Sequence, residues 1–142
     1  MQLQDIMTRE IHAIAADATL QEAAGSMAAH GVGFLPVVQG DLPVGVITDR
    51  DIVVRALARG DDPRQTPVER AMTPEVETMK EDASVIEAAQ QMREKQIRRL
   101  LVEDFNGRLV GVVALGDLAV EVPGTHLGGR TLEEVSQDQT PR

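Results

Sequence analysis

The sequence repeats itself, and this repeat limits the possible folds more than any other feature of the chain. Residues 3–51 align with residues 68–117 at a spacing of 65 positions, which becomes 66 after one residue is inserted in a turn of the second copy. Identical pairs include Met7/Met72, Thr8/Thr73, Asp17/Asp82, Glu22/Glu87, Ala23/Ala88, Ala24/Ala89, Met27/Met92, Val37/Val102, Gly45/Gly111, Val46/Val112 and Asp51/Asp117. Matches in one order with one gap indicate two copies of one structural unit.

Each copy opens with a predicted extended stretch followed by a helix. The extended stretches are residues 10–14 and 75–79. Thr19 and Ser84 each stand three residues before a glutamate, the spacing of a capping box that satisfies free amides at a helix start. In the first helix the apolar side chains recur at helical spacing, and one face is formed by Leu20, Ala23, Ala24, Met27 and Ala28. We therefore expect a helix after each cap.

A hairpin and a closing helix complete each copy. The predicted strands are residues 34–38, 44–48, 100–104 and 109–115, and the predicted closing helices are residues 49–59 and 116–121. The hairpin turns contain Gln39-Gly40-Asp41 in the first copy and Asn106-Gly107 in the second, and Asn-Gly favours the positive φ of tight turns. Gly60 is a typical C-terminal helix cap. Each copy thus follows the order strand, helix, strand, strand, helix.

The fold class predicted from this order is α+β, with the two repeats packed about a pseudo-two-fold axis into one module. One copy of about 55 residues buries little core alone, and the link at 60–67 is too short to separate the copies. We assign residues 1–62 to the first repeat and 63–122 to the second. Residues 123–142 form a polar, Gly-rich tail, in which 131–135 could make one helical turn.

Composition argues against several classes of function. The formal net charge of -9 opposes nucleic-acid binding. No apolar run approaches the roughly 18 residues of a membrane span, and the N-terminus does not resemble a signal peptide, so we expect a cytoplasmic protein without membrane contact. There is no cysteine for thiol chemistry. No nucleotide-binding glycine loop or nucleophile-base pattern is present, and His12, His30 and His126 lack metal-type spacing. We expect neither an enzyme nor a metal site.

The repeated motifs resemble the tandem cystathionine β-synthase (CBS) repeat, also called a Bateman module, over residues 1–122. The resemblance rests on the Met-Thr openings, FLPVV (34–38), IRRLLVED (97–104), GVITDRD (45–51) and GVVALGD (111–117). It implies a stand-alone regulatory module that senses AMP, ADP, ATP or S-adenosylmethionine in clefts between the repeats, needs no cofactor, dimerises and regulates another, unknown protein. The alternative is a structural or interaction dimer without nucleotide.

The end of the first hairpin contains the main candidate ligand residues. Thr48 ends a strand directly before a helix, and Asp51 lies in the first helical turn, where free amides favour phosphate and a carboxylate can accept ribose hydroxyls. Both residue types are also ordinary helix caps. By resemblance, Asp51 anchors the ribose and Thr48 contacts the ribose or the first phosphate. Gly45 permits either close approach of a ligand or tight packing, and packing is the favoured explanation.

The second copy departs from this pattern, because Ala114 replaces the threonine while Asp117 is retained. Its cleft is expected to be empty, weaker or suited to a ligand with less charge. Arg98 and Arg99 follow the second helix, and they are either solvated charges or phosphate ligands, with strand alternation favouring Arg99 inward. Arg50 is a further cation near the first site, inside a helix and equally able to face solvent.

The base pocket is predicted from two segments of the first copy. Ile11, His12 and Ala13 would supply backbone groups to the adenine edge, and residues 32–36 would line the other side through Phe34, Leu35 and Pro36. Phe34 is more often a core residue than a stacking partner, and the histidines favour structural roles. A homodimer is expected, because Ile52, Val53 and Leu57 are apolar side chains at outward helix positions and add more apolar surface than one small module can bury.

Overall fold

The computed structural model of the protein describes residues 1–74 and 76–121. In chain order the helices and strands are α1 (Leu3–Ile6), β1 (Ile14–Ala15), α2 (Leu20–His30), β2 (Phe34–Gln39), β3 (Leu42–Thr48), a π-helix (Asp51–Ala56), a 3₁₀ turn (Leu57–Arg59), a second 3₁₀ turn (Val68–Arg70), β4 (Thr73–Pro74), β5 (Thr78–Lys80), α3 (Val85–Lys95), β6 (Arg99–Glu103), β7 (Leu109–Ala114) and α4 (Leu115–Glu121). The predicted α+β class and the repeated element order are confirmed. The tail, the turn predicted at 131–135 and His126 lie outside the described residues.

The described chain forms two compact units. The first unit comprises His12–Val76, and the second comprises Met1–Ile11 together with the chain from Glu77 onward. The first unit contains a sheet of order β1-β2-β3-β4, and the second contains a sheet of order β5-β6-β7. In both sheets the short opening strand is parallel to its neighbour, and the hairpin strands are antiparallel. Each unit therefore has the core of one repeat.

The long helix of each unit begins at its predicted cap and ends at a residue in the left-handed region. Thr19 Oγ1 accepts a hydrogen bond from the Glu22 amide at 3.1 Å, and Ser84 Oγ accepts one from the Glu87 amide at 3.0 Å. Helix α2 ends at Gly31, with φ of 65°, in the left-handed region that favours glycine. Helix α3 ends the same way, although Gln96 occupies that position with φ of 55°.

The opening strand of the first unit is shorter than the predicted stretch at 10–14, because only Ile14–Ala15 pairs with β2. The second unit shows the physical reason. There the Leu101 amide donates to the Glu77 carbonyl at 3.1 Å, and pairing of β5 begins at Thr78. Pro36 occupies the position equivalent to Leu101 and has no N–H to donate. The parallel ladder of the first unit accordingly begins one residue later.

The hairpins and closing helices need smaller corrections. The strand limits differ from the predicted ones by one or two residues, and only the glycines of the turns, Gly40 and Gly107, adopt positive φ, so Asn106 does not. The first closing helix runs over residues 49–59 as predicted, but it is π-helical over Asp51–Ala56. Gly60, with φ of 83°, ends it as expected.

Each unit has its own buried core. The core of the first unit contains Leu20, Ala23, Met27, Leu35, Val37, Ile47, Ile52, Ala56, Val68 and Ala71. The core of the second contains Leu3, Met7, Val85, Ala88, Ala89, Met92, Leu100, Val102, Val113, Leu115 and Leu118. Ala24 and Ala28 were expected on the buried face of α2 but are exposed, since three of its five apolar positions suffice to contact the sheet.

The Met-Thr openings and the motif glycines have a common packing explanation. A Cβ atom on Gly45 would lie 2.7 Å from Met72 Sδ and 2.8 Å from the Thr73 carbonyl oxygen. A Cβ atom on Gly111 would clash with Met7 Sδ and would lie 2.8 Å from Met7 Cγ. Met72 of the second repeat thus packs on Gly45 of the first repeat, and Met7 of the first repeat packs on Gly111 of the second. The expectation that Gly45 serves packing agrees with this contact.

Candidate functional site

Thr48 and Asp51 form a closed pair of hydrogen bonds at the junction between β3 and the following helix. The Thr48 amide donates to Asp51 Oδ2 at 3.0 Å, and the Asp51 amide donates to Thr48 Oγ1 at 3.1 Å. Both residues are buried, with exposed fractions of 7% and 5%. This reciprocal cap fixes the orientation of the carboxylate and the hydroxyl. The capping role that the sequence left open is therefore present, and the carboxylate oxygens retain further lone pairs for a ligand.

Arg55, which sequence reasoning missed, completes this corner. Its Nε lies 3.7 Å from Asp51 Oδ1, and its Nη1 donates to the Met72 carbonyl at 3.3 Å. Asp51 and Arg55 are four residues apart, the spacing at which oppositely charged helix residues meet. That spacing was visible in the sequence and could have identified the pair.

The predicted base-pocket residues occupy different environments. Phe34 pairs with Thr48 across the hairpin and is half-buried, so these two side chains belong to the same corner. Leu35 is completely buried in the core of the first unit, and Pro36 is buried beside Val46. The side chain of Leu35 therefore cannot line a base pocket.

His12 lies on the ring of His30. The ring centroids are 3.6 Å apart and the planes are inclined by 19°. His30 Nδ1 lies 2.9 Å from the Ser26 carbonyl, which can only accept, so this nitrogen carries a proton. The structure brings together two histidines that are separated by a full helix in sequence. Ala13 is exposed, and Ile11 is half-buried at the end of the segment that belongs to the second unit.

The second unit has a related corner with different chemistry. The Ala114 amide donates to Asp117 Oδ2 at 3.1 Å, but the alanine has no hydroxyl to accept the return bond. Arg99 pairs with Ala114 across the hairpin, as Phe34 pairs with Thr48. Arg98 is exposed, and its carbonyl accepts the Leu115 amide at 2.8 Å. Arg99 therefore belongs to the Asp117 corner, whereas Thr48 and Asp51 lie in the other unit.

Two other predicted positions lie on the surface of the first unit. Arg50 is exposed. Val53 and Leu57 are 55% and 46% exposed, whereas Ile52 was expected outward but is only 7% exposed and belongs to the core. An open groove of about 590 Å³ lies between α2 and the closing helix at residues 49–59. It is lined by Ala24, Met27, Ala28, Gly31, Val32, Gly33, Asp49, Ile52, Val53 and Leu57.

Metal sites and membrane-spanning helices are both absent from the described residues. Among residues 1–74 and 76–121, no three His, Asp or Glu side chains gather closely enough to hold a metal ion. Within the same part of the chain, no helix combines the length and apolar character of a membrane span.

The described residues form two α+β units, and each unit has an aspartate where the second strand of its hairpin meets the closing helix. The model of the CBS domain matches residues 3–57 and 68–124, and the chain belongs to this family. It is similar to the CBS domain-containing protein YhcV of Bacillus subtilis, with 42% identity over 134 residues that cover 94% of both chains. The resemblance inferred from the motifs is confirmed.

Solved structures of other CBS proteins are also similar. Hypoxic Response Protein I, determined with two coordinated zinc ions, has 34% identity and a TM-score of 0.77, and the match covers 87% of this chain and all of that one. The CBS domain pair of MJ0100, in complex with 5′-methylthioadenosine and S-adenosyl-L-methionine, has 30% identity and a TM-score of 0.72 over 85% of this chain and 98% of that one.

Proposed function

We propose that the protein is a cytoplasmic, non-enzymatic regulatory module that binds an adenosyl compound at the corner formed by Thr48 and Asp51. The observation that carries the proposal is the buried, pre-oriented Asp51 carboxylate, which has lone pairs for ribose hydroxyls. The adenosyl ligands of the MJ0100 domain pair support the ligand class. We do not propose zinc as the ligand, because no group of described acidic and histidine side chains is arranged to hold a metal ion.

The contacts of the base and phosphate follow from the residues around that carboxylate. Phe34, which pairs with Thr48, offers an apolar surface to the base, and we propose that backbone groups of His12, Ala13 and residues 32–36 contact the adenine edge. The Thr48 hydroxyl accepts a hydrogen bond from the Asp51 amide, which holds it at the corner where we place the ribose or the first phosphate. Arg50 is a secondary cation, and Arg99 serves the Asp117 corner.

A thermal-shift screen with AMP, ADP, ATP, NAD and S-adenosylmethionine tests the ligand class. A ligand that binds only the folded state at 100 times its dissociation constant stabilises the protein by about 2.7 kcal/mol, which raises the melting temperature. Because the chain has neither Trp nor Tyr, circular dichroism is the suitable signal. No shift with any adenosyl compound at millimolar concentration would contradict the proposal.

A second candidate function is an interaction module that acts through a dimer without nucleotide. The apolar groove of the first unit favours it, because Val53 and Leu57 expose large side chains beside that groove. In the sensing proposal too, two copies pair through this face. Sedimentation of the wild type and of the double variant Val53→Glu/Leu57→Glu tests the pairing. If the wild type is a dimer and the double variant is also a dimer, this face is not the dimer interface. Dimerisation without any adenosyl thermal shift would favour the interaction module.

A further inference from the structure

Arg55 places a positive charge directly beside the proposed ribose anchor. Its Nε approaches Asp51 Oδ1 at 3.7 Å, and the hydrogen bond from Nη1 to the Met72 carbonyl fixes the guanidinium at its other end. Half of the Arg55 side chain is exposed, whereas the Asp51 side chain is 7% exposed. The guanidinium therefore pairs with a buried carboxylate while part of the arginine side chain stays exposed to solvent.

An anionic ligand would meet an unfavourable field at this corner without Arg55. The chain has a formal net charge of -9, and a phosphate next to Asp51 would be repelled by the carboxylate at short range. Arg55 offsets that carboxylate charge, and an arginine fork binds phosphate through several donors in fixed geometry. A phosphate on the ribose that Asp51 is proposed to hold is covalently tied to the same small ring, and Arg55 Nε lies 3.7 Å from that carboxylate.

Building on the function proposed above, we propose that Arg55 makes the Thr48–Asp51 site selective for adenosyl ligands that carry a phosphate on the ribose over the neutral nucleoside. The ligand class of this site is then an adenosine phosphate. The second repeat has Glu121 at the position equivalent to Arg55, so this device belongs to the first repeat alone.

Calorimetry with AMP and adenosine separates this role from a structural one. The test variant is Arg55→Gln, which keeps a donor for the Met72 carbonyl and removes the charge, and Arg55→Lys restores a charge. Arg59→Ala is the matched control, because Arg59 lies one turn later on the same helical segment, is 59% exposed and pairs with Asp61 instead. Circular dichroism verifies that each variant is folded.

We expect wild-type protein to bind AMP more tightly than adenosine, and Arg55→Gln to weaken AMP about tenfold while changing adenosine less than twofold. Arg55→Lys should recover most of the loss, Arg59→Ala should leave both affinities unchanged, and the wild-type preference for AMP should shrink as salt rises. Equal losses for both ligands, or no loss for AMP, would overturn the role of Arg55 while leaving the adenosyl site intact. Binding of neither ligand, nor of S-adenosylmethionine, by wild type would refute the proposed function itself.

Discussion

The two units place the same backbone hydrogen bond at the same corner, yet surround it with different side chains. Asp51 and Asp117 each accept the amide of the residue three positions earlier, at 3.0 Å and 3.1 Å. In the first unit the corner also has the Thr48 hydroxyl, the Phe34 ring and the Arg55 guanidinium. The equivalent residues of the second repeat are Ala114, Arg99 and Glu121. The comparison teaches that the two repeats share the cap geometry but not the side chains around it.

The backbones near these corners differ as well. Pro36 removes one rung of the parallel ladder in the first unit, whereas Leu101 supplies that rung in the second. The closing helix of the first unit is π-helical over Asp51–Ala56, whereas α4 is a regular helix over Leu115–Glu121. Local π-helical segments are often found at functional sites. Both differences distinguish the backbone of the first corner from that of the second.

The largest expected effect is a loss of stability when alanine replaces the motif glycines. Gly45→Ala should lower the free energy of unfolding by about 3 kcal/mol, because the new methyl group would meet the Thr73 carbonyl of β4, which cannot move without breaking strand pairing. Gly111→Ala should cost only about 1 kcal/mol, since its nearest neighbours are atoms of the flexible Met7 side chain. Urea unfolding followed by circular dichroism measures both. Equal losses would show that backbone contact is not what separates the two sites.

The next effect concerns ligand affinity at the two aspartates. Asp51→Ala should weaken binding of any adenosyl ligand by about 2 kcal/mol, or roughly thirtyfold, through loss of charge-assisted hydrogen bonds to ribose. Asp117→Ala removes the same type of backbone cap and is therefore the matched control, expected to leave the main binding event unchanged. Calorimetry of both variants decides the assignment. Two equivalent sites per wild-type chain, or a loss confined to Asp117→Ala, would reverse it.

The cap hydroxyl gives a smaller, reciprocal prediction. Thr48→Ala should destabilise the protein by about 1 kcal/mol, because the Asp51 amide loses its acceptor. Ala114→Thr introduces the missing hydroxyl in the second unit and should stabilise it by up to about 1 kcal/mol. Denaturant titrations compare the two changes directly. A destabilising Ala114→Thr would contradict the equivalence of the two caps.

The smallest effect is expected at the helix ends. Gly31→Ala forces a side chain into the left-handed region, at a cost of about 1 kcal/mol that the lower entropy of the unfolded chain partly offsets, leaving about 0.5 kcal/mol of destabilisation. Gly25→Ala lies in the interior of the same helix with open space around it, and should be stabilising by about 0.5 kcal/mol. Melting temperatures should therefore move in opposite directions. A shift of the same sign in both variants would contradict this explanation of the cap.

Much of this fold was predictable because its signals are local in sequence. The caps at Thr19 and Ser84 and the glycine that ends the first closing helix act over a few residues, so spacing alone identifies them. The short length of β1 was not predicted, because it depends on a partner strand whose proline cannot donate. For the candidate site, Thr48 and Asp51 were found from their motif. The stacked histidines and the Arg55 contact to Met72 needed distant segments to be brought together.

The sequence alone determined the two-copy architecture and the family, because the same residues recur at the same spacing in both copies. It also determined that the two corners differ in chemistry, because Ala114 replaces Thr48 in the second copy. Tertiary structure alone decided which segments belong to which unit. The Met-Thr opening of each repeat packs on the motif glycine of the other, through contacts between Met72 and Gly45 and between Met7 and Gly111. Such a choice depends on long-range packing of a methionine against a bare backbone, and no local pattern encodes which of two equivalent glycines it will meet.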